Sequence, residues 1–321
     1  MTENTDDLKR IGTFHSGPQY KTHLFRIQAT LRSALAQGLK LIRRGNKVIY
    51  ITNPIARGGN WLYYWAHAHA LTQDSSSTIA KVLYAPGMET WINEFPSLNN
   101  YTIEPQDVKF TDRRSVLFPN DIELNFTEEE IKSFIHEDIL LSQNFKERFN
   151  KYKDIINNNT VIITVRRGDY YSVPAVKKRF GINTVEYIKA ATQEMLKRVE
   201  PSQIIFVSDD IDWCTQNLSF LSNYASIIKL DRKDMFDDLA VMTLASHLIL
   251  TNTSFGYWGG YISEVYSPTT IYVPNVHEYD ATHRLDAVSK DKTGRPHSHR
   301  RSWISISNPD GEHWITGEKN D

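Results

Sequence analysis

The chain has 321 residues, of which 40% are hydrophobic and 23% charged, and its formal net charge is −1. That length holds two domains or one large one, and the near-neutral balance excludes a nucleic-acid binder that works through global charge. A single cysteine, Cys214, excludes an internal disulfide framework and fits a reducing compartment. No run approaches the roughly 18 to 20 apolar residues that span a bilayer, and no secretory hydrophobic region opens the chain, so a cytoplasmic protein is expected.

Residues 1–21 are polar and aperiodic, with Gly12, Gly17 and Pro18, which predicts a mobile N-terminus. No acidic residue falls between Asp7 and Asp74, while lysines and arginines recur from Lys9 to Arg57. Leu24, Leu31, Leu35, Leu39 and Ile42 sit at helical spacing inside that basic stretch. Two readings follow for residues 22–47. One is an amphipathic helix touching the inner face of the cell membrane through anionic lipid. The other, slightly favoured because the stripe lacks large anchors, packs the leucines on the protein body and leaves the basic face in water.

Lys47 to Thr52 then reads as a strand, and Gly58-Gly59 as the turn that opens a helix from Asn60 to Leu71. Backbone N–H groups at such a helix start suit polar or anionic ligands. His67 and His69 are two apart, so they point in different directions and are poor joint metal ligands. Ile79 to Tyr84 is a further strand, and Met88 to Phe95 a short helix stopped by Pro96. Thr127 and Glu130 form a capping-box pattern, and helix continues to about Asn157. The polar run Asn157-Asn158-Asn159-Thr160 marks a joint. The expected division is therefore an α/β unit over 22–157, a second over 158–275, and a basic segment with a tail over 276–321.

The second unit opens on Val161-Ile162-Ile163-Thr164-Val165, an uncharged run that reads as a strand buried on both faces. Arg166, Arg167, Gly168 and Asp169 follow where it must end. Helices from Asn183 to Val199, Ile211 to Leu218 and Met235 to His247 alternate with strands over 203–207, 226–230, 248–252 and 270–273. That alternation predicts βαβ units and a parallel sheet. Arg166 and Arg167, Asp209 and Asp210, and Thr253 and Ser254 then all follow strand ends, on the one sheet edge where ligands bind. Guanidiniums fit phosphate oxygens, a helix start with hydroxyls does the same, and an acidic residue accepts from a ribose or a base edge. Together they describe a nucleotide-diphosphate pocket. No Gly-x-x-x-x-Gly-Lys loop and no Gly-x-Gly-x-x-Gly fingerprint follows a strand, which argues against ATP hydrolysis and nicotinamide chemistry.

These residues resemble a known family, the bacterial α-1,2-fucosyltransferases (glycosyltransferase family 11-like), and more distantly the α-1,6- and protein O-fucosyltransferases. Thr164-Val165-Arg166-Arg167-Gly168-Asp169 is similar to the family pattern His-x-Arg-Arg-x-Asp. Ser208-Asp209-Asp210 resembles its Ser-Asp-Asp, and Asp238-Leu239 through Met242 with Asn252 through Gly260 resembles its third, longest motif. Gly58-Gly59-Asn60 is similar to its N-terminal glycine turn. Thr164 stands where the family has histidine, Gly256-Tyr257 where it has Ser-Trp, and Trp61 where it has glutamine. Residues 277–301, rich in His, Arg and Lys, match no motif.

The resemblance implies a GT-B-like fold of two Rossmann-like α/β domains facing across a cleft. It implies an inverting, metal-independent transferase that moves fucose from GDP-fucose, as donor substrate with no cofactor, to a hydroxyl of a glycan acceptor. Arg166 is then the group on the donor β-phosphate, and Asp169 either a base or the brace of an arginine. Arg167 shares the phosphate task or braces Asp169. Thr253 and Ser254 cradle phosphates, Asn252 and Phe255 belong to the same donor site, Asp209 or Asp210 holds the nucleoside, and Gly58, Gly59 and Asn60 face the donor from the first domain. A divalent ion on Asp209, Asp210 and Asp212, or on Asp237 and Asp238, is the metal alternative. For the second pair a carboxylate at a helix start is the favoured reading. Two other readings remain: a transferase using a different nucleotide sugar, and a non-catalytic nucleotide or glycan binder.

Overall fold

The computed structural model describes residues 38, 43, 45–52, 56–74, 78–116, 127–279, 296–309 and 314. The expected N-terminal segment 1–21, most of the basic segment 22–47 and residues 280–295 lie outside the described residues.

The first half runs β1 (Lys47–Ile51), α1 (Gly59–Asp74), β2 (Ile79–Leu83), α2 (Met88–Glu94), β3 (Thr102–Ile103) and β4 (Arg113–Val116). The four strands form one parallel sheet in the order β3-β2-β1-β4. α1 is buried without a break from Trp61 to His69, so it has no solvent face over two turns. A helix apolar all round must be covered on every side. After α3 (Glu128–Phe134), a π-helical turn over Ile135–Leu140 leads to α4 (Gln143–Tyr152). The capping box at Thr127 and Glu130 is present as the sequence implied, with each side chain bonded to the other residue's backbone N–H.

The second half runs β5 (Thr160–Val165), α5 (Gly168–Ser172), α6 (Pro174–Phe180), α7 (Thr184–Leu196), β6 (Gln203–Ser208) and α8 (Ile211–Asn217). It continues through β7 (Ser226–Ile227), α9 (Met235–Leu244), β8 (His247–Ile249), α10 (Ser254–Tyr266), β9 (Thr270–Pro274) and β10 (Ile304–Ile306). Its six strands are parallel in the order β10-β9-β8-β5-β6-β7. All six residues of β5 are buried, as its uncharged run demands of a central strand.

Two parallel α/β sheets in succession are the GT-B-like class expected. In the second sheet three strands differ from the sequence expectation. Strand β7 pairs over only two residues, because the chain leaves the sheet before Lys229. Strand β8 starts and ends earlier than expected, at His247 and Ile249, with α9 closing at Leu244. The sheet does not end at β9, since β10 pairs with it.

Strand order reverses between β1 and β4 in the first sheet, and between β5 and β8 in the second. In open α/β sheets such switch points leave a crevice at the carboxyl ends of the strands, where ligands bind. The glycine turn follows β1, and Arg166 follows β5.

The two halves share one apolar core. A single cluster joins Trp61, Tyr64 and Trp65 of α1 to Ile162 of β5 and to Tyr257, Trp258 and Tyr261 of α10. Tyr63 meets Trp258 with ring centroids 4.9 Å apart, and Phe134 meets Trp258 at 5.8 Å. Each fully buried side chain of that size stabilises by about 1.5–3 kcal/mol. The polar joint near residue 157 is a turn in the chain that this core bridges.

Candidate functional site

At the carboxyl end of β5 the Arg166 guanidinium lies between two carboxylates. Nη1 is 2.9 Å from Asp209 Oδ2, and Nη2 is 2.6 Å from Asp169 Oδ1. Burial alone would disfavour its charge, but Asp209 and Asp169 outweigh that and raise its pKa above the usual arginine value. The backbone N–H of Arg167 donates to Asp209 Oδ1 at 2.8 Å, so both oxygens of Asp209 are fixed. Gly168 makes this packing possible. A Cβ there would lie 2.6 Å from Asp209 Oδ2 and 3.5 Å from the Arg166 guanidinium carbon.

Arg167 does not pair with Arg166. Its guanidinium carbon lies 3.5 Å from the Tyr171 ring centre and 3.9 Å from that of Trp213, held between two π faces. The expectation that Arg167 braces Asp169 is therefore corrected: Arg166 does so. Asp210 is the N-cap of α8, accepting from the Trp213 N–H at 2.9 Å. That gives Asp210 a local structural task, and leaves Asp209 as the acidic residue coupled to the arginine.

On the other side of the switch point, Thr253 caps α10, its hydroxyl accepting from the Gly256 N–H at 3.0 Å. The N–H groups of Ser254 and Phe255, in the first turn, have no carbonyl four residues back within the helix to donate to. Asn252 is 2% exposed, and its side-chain amide donates to the Phe180 carbonyl at 2.9 Å and the His277 carbonyl at 2.7 Å. It ties α6 and the segment after β9 beneath the edge. Thr164 is buried, and its hydroxyl accepts the Thr251 N–H at 3.0 Å, clamping β5 to the strand end that leads into α10.

The glycine turn of the first half reaches the same place. Gly58 has φ +42°, a left-handed conformation that favours glycine, and Gly59 begins α1. A Cβ on Gly59 would lie 2.9 Å from both the Ser254 carbonyl carbon and the Phe255 nitrogen. Asn60 lies in the first turn, its N–H donating to the Arg57 carbonyl at 2.9 Å. Two helix N-termini from different halves thus meet backbone to backbone, which concentrates positive dipole ends at one point.

A groove of about 680 Å³ opens at the carboxyl end of β6. Ser208 and Ile211 line one side, and residues 229–235 with Asp238 the other. In sequence Asp237 and Asp238 read as a pair, either helix-start carboxylates or a divalent-ion site, with the first favoured. The structure separates them. Asp237 is 2% exposed, bonded to Tyr152, Lys151, Arg148 and the Lys233 N–H. Asp238 faces the groove, paired with Arg232 at 2.8 Å. Burial pushes its carboxyl up to about 6; Arg232 opposes this, while Asp237 and Asp234 add to it. Its place in the Asp-Leu motif was the one signal in sequence that could have marked it.

Two other groups singled out in sequence have partners in the core. His69 is buried, with Nδ1 2.8 Å from Asp138 Oδ2 and Nε2 3.2 Å from Ser133 Oγ. It is a partnered core histidine. Of the basic C-terminal segment, the described residues 296–309 include Trp303, which stacks on Tyr261 of α10 with ring centroids 5.1 Å apart. Among the described residues, no group of three or more His, Cys, Asp or Glu could hold a metal ion.

Residues 91–304 match the family model described as Glycosyl transferase family 11. Among curated proteins, the chain is 28% identical over 132 residues to the O-antigen biosynthesis glycosyltransferase WbnK of Escherichia coli, covering 40% of this chain and 42% of that protein. It is 28% identical over 111 residues to an α-1,2-colitosyltransferase of Escherichia coli, covering 34% and 38%. Against galactoside α-(1,2)-fucosyltransferase 1 of Leontopithecus chrysomelas it is 25% identical over 114 residues, covering 35% and 30%. The matched parts thus span less than half the length of these relatives. A solved structure of POFUT1 in complex with GDP superposes with a TM-score of 0.42 at 11% identity, over 71% of this chain and 98% of that one. The motifs at the strand ends and the family match over most of the chain agree: this protein belongs to glycosyl transferase family 11.

Proposed function

We propose that the protein is an inverting, metal-independent glycosyltransferase that moves fucose from GDP-fucose to a hydroxyl of a glycan acceptor. The observation that carries the reading is the position of Arg166. It is a permanently charged group at the switch point of the second sheet, within 3 Å of two carboxylates, and its partner Asp209 directly follows Ser208 of the groove wall.

In this reading the diphosphate lies between Arg166 and the N-terminus of α10, with Ser254 and Phe255 offering backbone N–H groups. The base enters the groove, where Asp238 accepts from its edge. Guanine suits a carboxylate there, because two adjacent N–H donors on one edge match two oxygens. Gly58, Gly59 and Asn60 approach from the first half.

The acceptor oxygen attacks C1 of the sugar from the face opposite the diphosphate. The C1–O bond to the β-phosphate breaks, its electron pair leaves with GDP, and the hydroxyl proton passes to solvent or a base. Negative charge grows on the departing phosphate, so Arg166 binds the transition state more tightly than the ground state. Losing such a donor typically costs on the order of 10²-fold or more in rate. Asp169 already accepts from Arg166 through Oδ1, which favours the bracing role over that of a base.

A second reading keeps the pocket and changes the sugar, and one similar protein is named an α-1,2-colitosyltransferase. A transfer assay across a panel of GDP- and UDP-sugars, with EDTA present, tests both readings. Release of GDP from GDP-fucose, dependent on a glycan acceptor and lost in Arg166→Ala, supports the first. Turnover of another GDP-sugar alone supports the second. Turnover of UDP-sugars only contradicts both.

A further inference from the structure

Helix α4 presents Arg148, Lys151 and Tyr152 on one face, three and four residues apart. All three grip the wall of the groove. Arg148 Nη1 is 2.8 Å from both Asp234 Oδ1 and Asp237 Oδ1, and Nη2 is 3.1 Å from Asp234 Oδ2. Lys151 and Tyr152 donate to the Asp231 carbonyl and to Asp237 Oδ2 at 2.8–3.0 Å. Arg148 is held from behind by Glu94 of α2, Nε at 2.8 Å and Nη2 at 2.9 Å. One arginine thus fixes the N-cap carboxylate of α9, Asp234, and Asp237 in its first turn, next to Asp238.

We propose that Arg148 is a positioning residue for the nucleoside end of the groove: it neutralises Asp234 and Asp237, and so keeps Asp238 ionised to accept from the base. This rests on the reading above that Asp238 meets the base edge.

The charges around Asp238 support it. From the loop before α9, Arg232 pairs directly with Asp238, and Lys229, Asp231 and Lys233 line the same groove. From its own helix, Asp234 and Asp237 push its pKa up, adding to burial. β6 and α8 contribute Ser208 and Ile211, which bring no charge. From α4, Arg148 and Lys151 reach Asp237. Without Arg148 two carboxylates lose a shared counter-charge, and protonation of Asp238 moves to higher pH.

The test is GDP affinity by calorimetry from pH 5 to pH 8.5, with thermal melting alongside. GDP's own phosphate titration is common to every variant and drops out of the comparison. Wild type is expected to lose affinity as pH falls through the region of 6. Arg148→Met is expected to move that acid limb up, with affinity close to wild type at pH 8.5 and at least tenfold weaker at pH 6.5. Asp234→Asn, which retains a capping side chain, is expected to move the limb down. A merely structural role weakens binding by the same factor at every pH, and that result overturns the proposal. If Arg148→Met does not fold, Asp234→Asn decides: a limb unmoved from wild type overturns it. Asp238→Asn tests the underlying reading separately. If it binds GDP as tightly as wild type at pH 8.5, the base-edge reading fails. If it weakens GDP while the Arg148→Met limb coincides with wild type, that reading stands and the inference fails.

Discussion

Gly59, at the start of α1, and Phe255, at the start of α10, approach so closely that a Cβ on Gly59 would lie 2.9 Å from the Phe255 nitrogen. The obstacle is backbone, which cannot rotate aside. This contact sets how the switch point of the first sheet meets that of the second, and an added methyl must separate them.

Gly59→Ala is therefore expected to cost about 1–3 kcal/mol, the usual penalty of overpacking. It is also expected to weaken GDP binding, because the displaced group is the turn that faces the diphosphate. Thermal melting and calorimetry check the two effects. Unchanged melting and unchanged affinity would show that the helix starts are not in contact.

Gly168→Ala makes an instructive contrast. Its Cβ would lie 2.6 Å from Asp209 Oδ2, the end of a side chain that can swing away. Stability is expected to change little, while Asp209 releases Arg166 and GDP affinity falls about tenfold. Equal losses of stability and affinity would contradict this division.

Thr164 stands where the family has histidine, and its hydroxyl accepts the Thr251 N–H inside the core. Thr164→Val keeps the shape and orphans that buried donor, at a cost of about 1–3 kcal/mol. Thr164→Ser is expected to restore most of it. Thr164→His is expected to be worse than either, since the site is 4% exposed and the Thr164 hydroxyl lies 3.3 Å from where a Cβ on Gly256 would be. Urea unfolding of the three variants ranks them.

Asp237 gives a pH prediction for stability. Burial would raise its pKa, but hydrogen bonds from the Lys233 N–H, Tyr152, Lys151 and Arg148 bring it down to about 2, from 3.8. The folded value lies below the unfolded one, so its contribution is present above about pH 4 and lost as pH falls towards 2. The size is about 2 kcal/mol by linkage. Part of the wild-type loss of stability between pH 4.5 and pH 2.5 is expected to vanish in Asp237→Asn. Parallel pH profiles for the two proteins would contradict the assignment.

Much of this was legible from residue order. Strands β5 and β6 are unbroken apolar runs, and the polar residues that end them had to fall on one edge of a parallel sheet. The direction of individual side chains was not legible. Arg166 and Arg167 are adjacent, yet one meets carboxylates and the other slides between Tyr171 and Trp213. Asp237 and Asp238 differ only by the rotation of one helical step, which buries the first and turns the second to the groove. The groove itself arises because the chain leaves the sheet after Ile227, where a longer strand was expected. Strand β10 has three residues and no amphipathic period of its own, so only its pairing with β9 reveals it.

The most direct test of the central claim is calorimetric titration of wild type and Arg166→Ala with GDP and UDP, in EDTA. A guanine-nucleotide site built on Arg166 predicts that GDP binds more tightly than UDP, and that Arg166→Ala weakens this binding by about 10- to 100-fold, the worth of a hydrogen bond to a charged group. Equal binding of GDP by wild type and Arg166→Ala, or tighter binding of UDP, would contradict it.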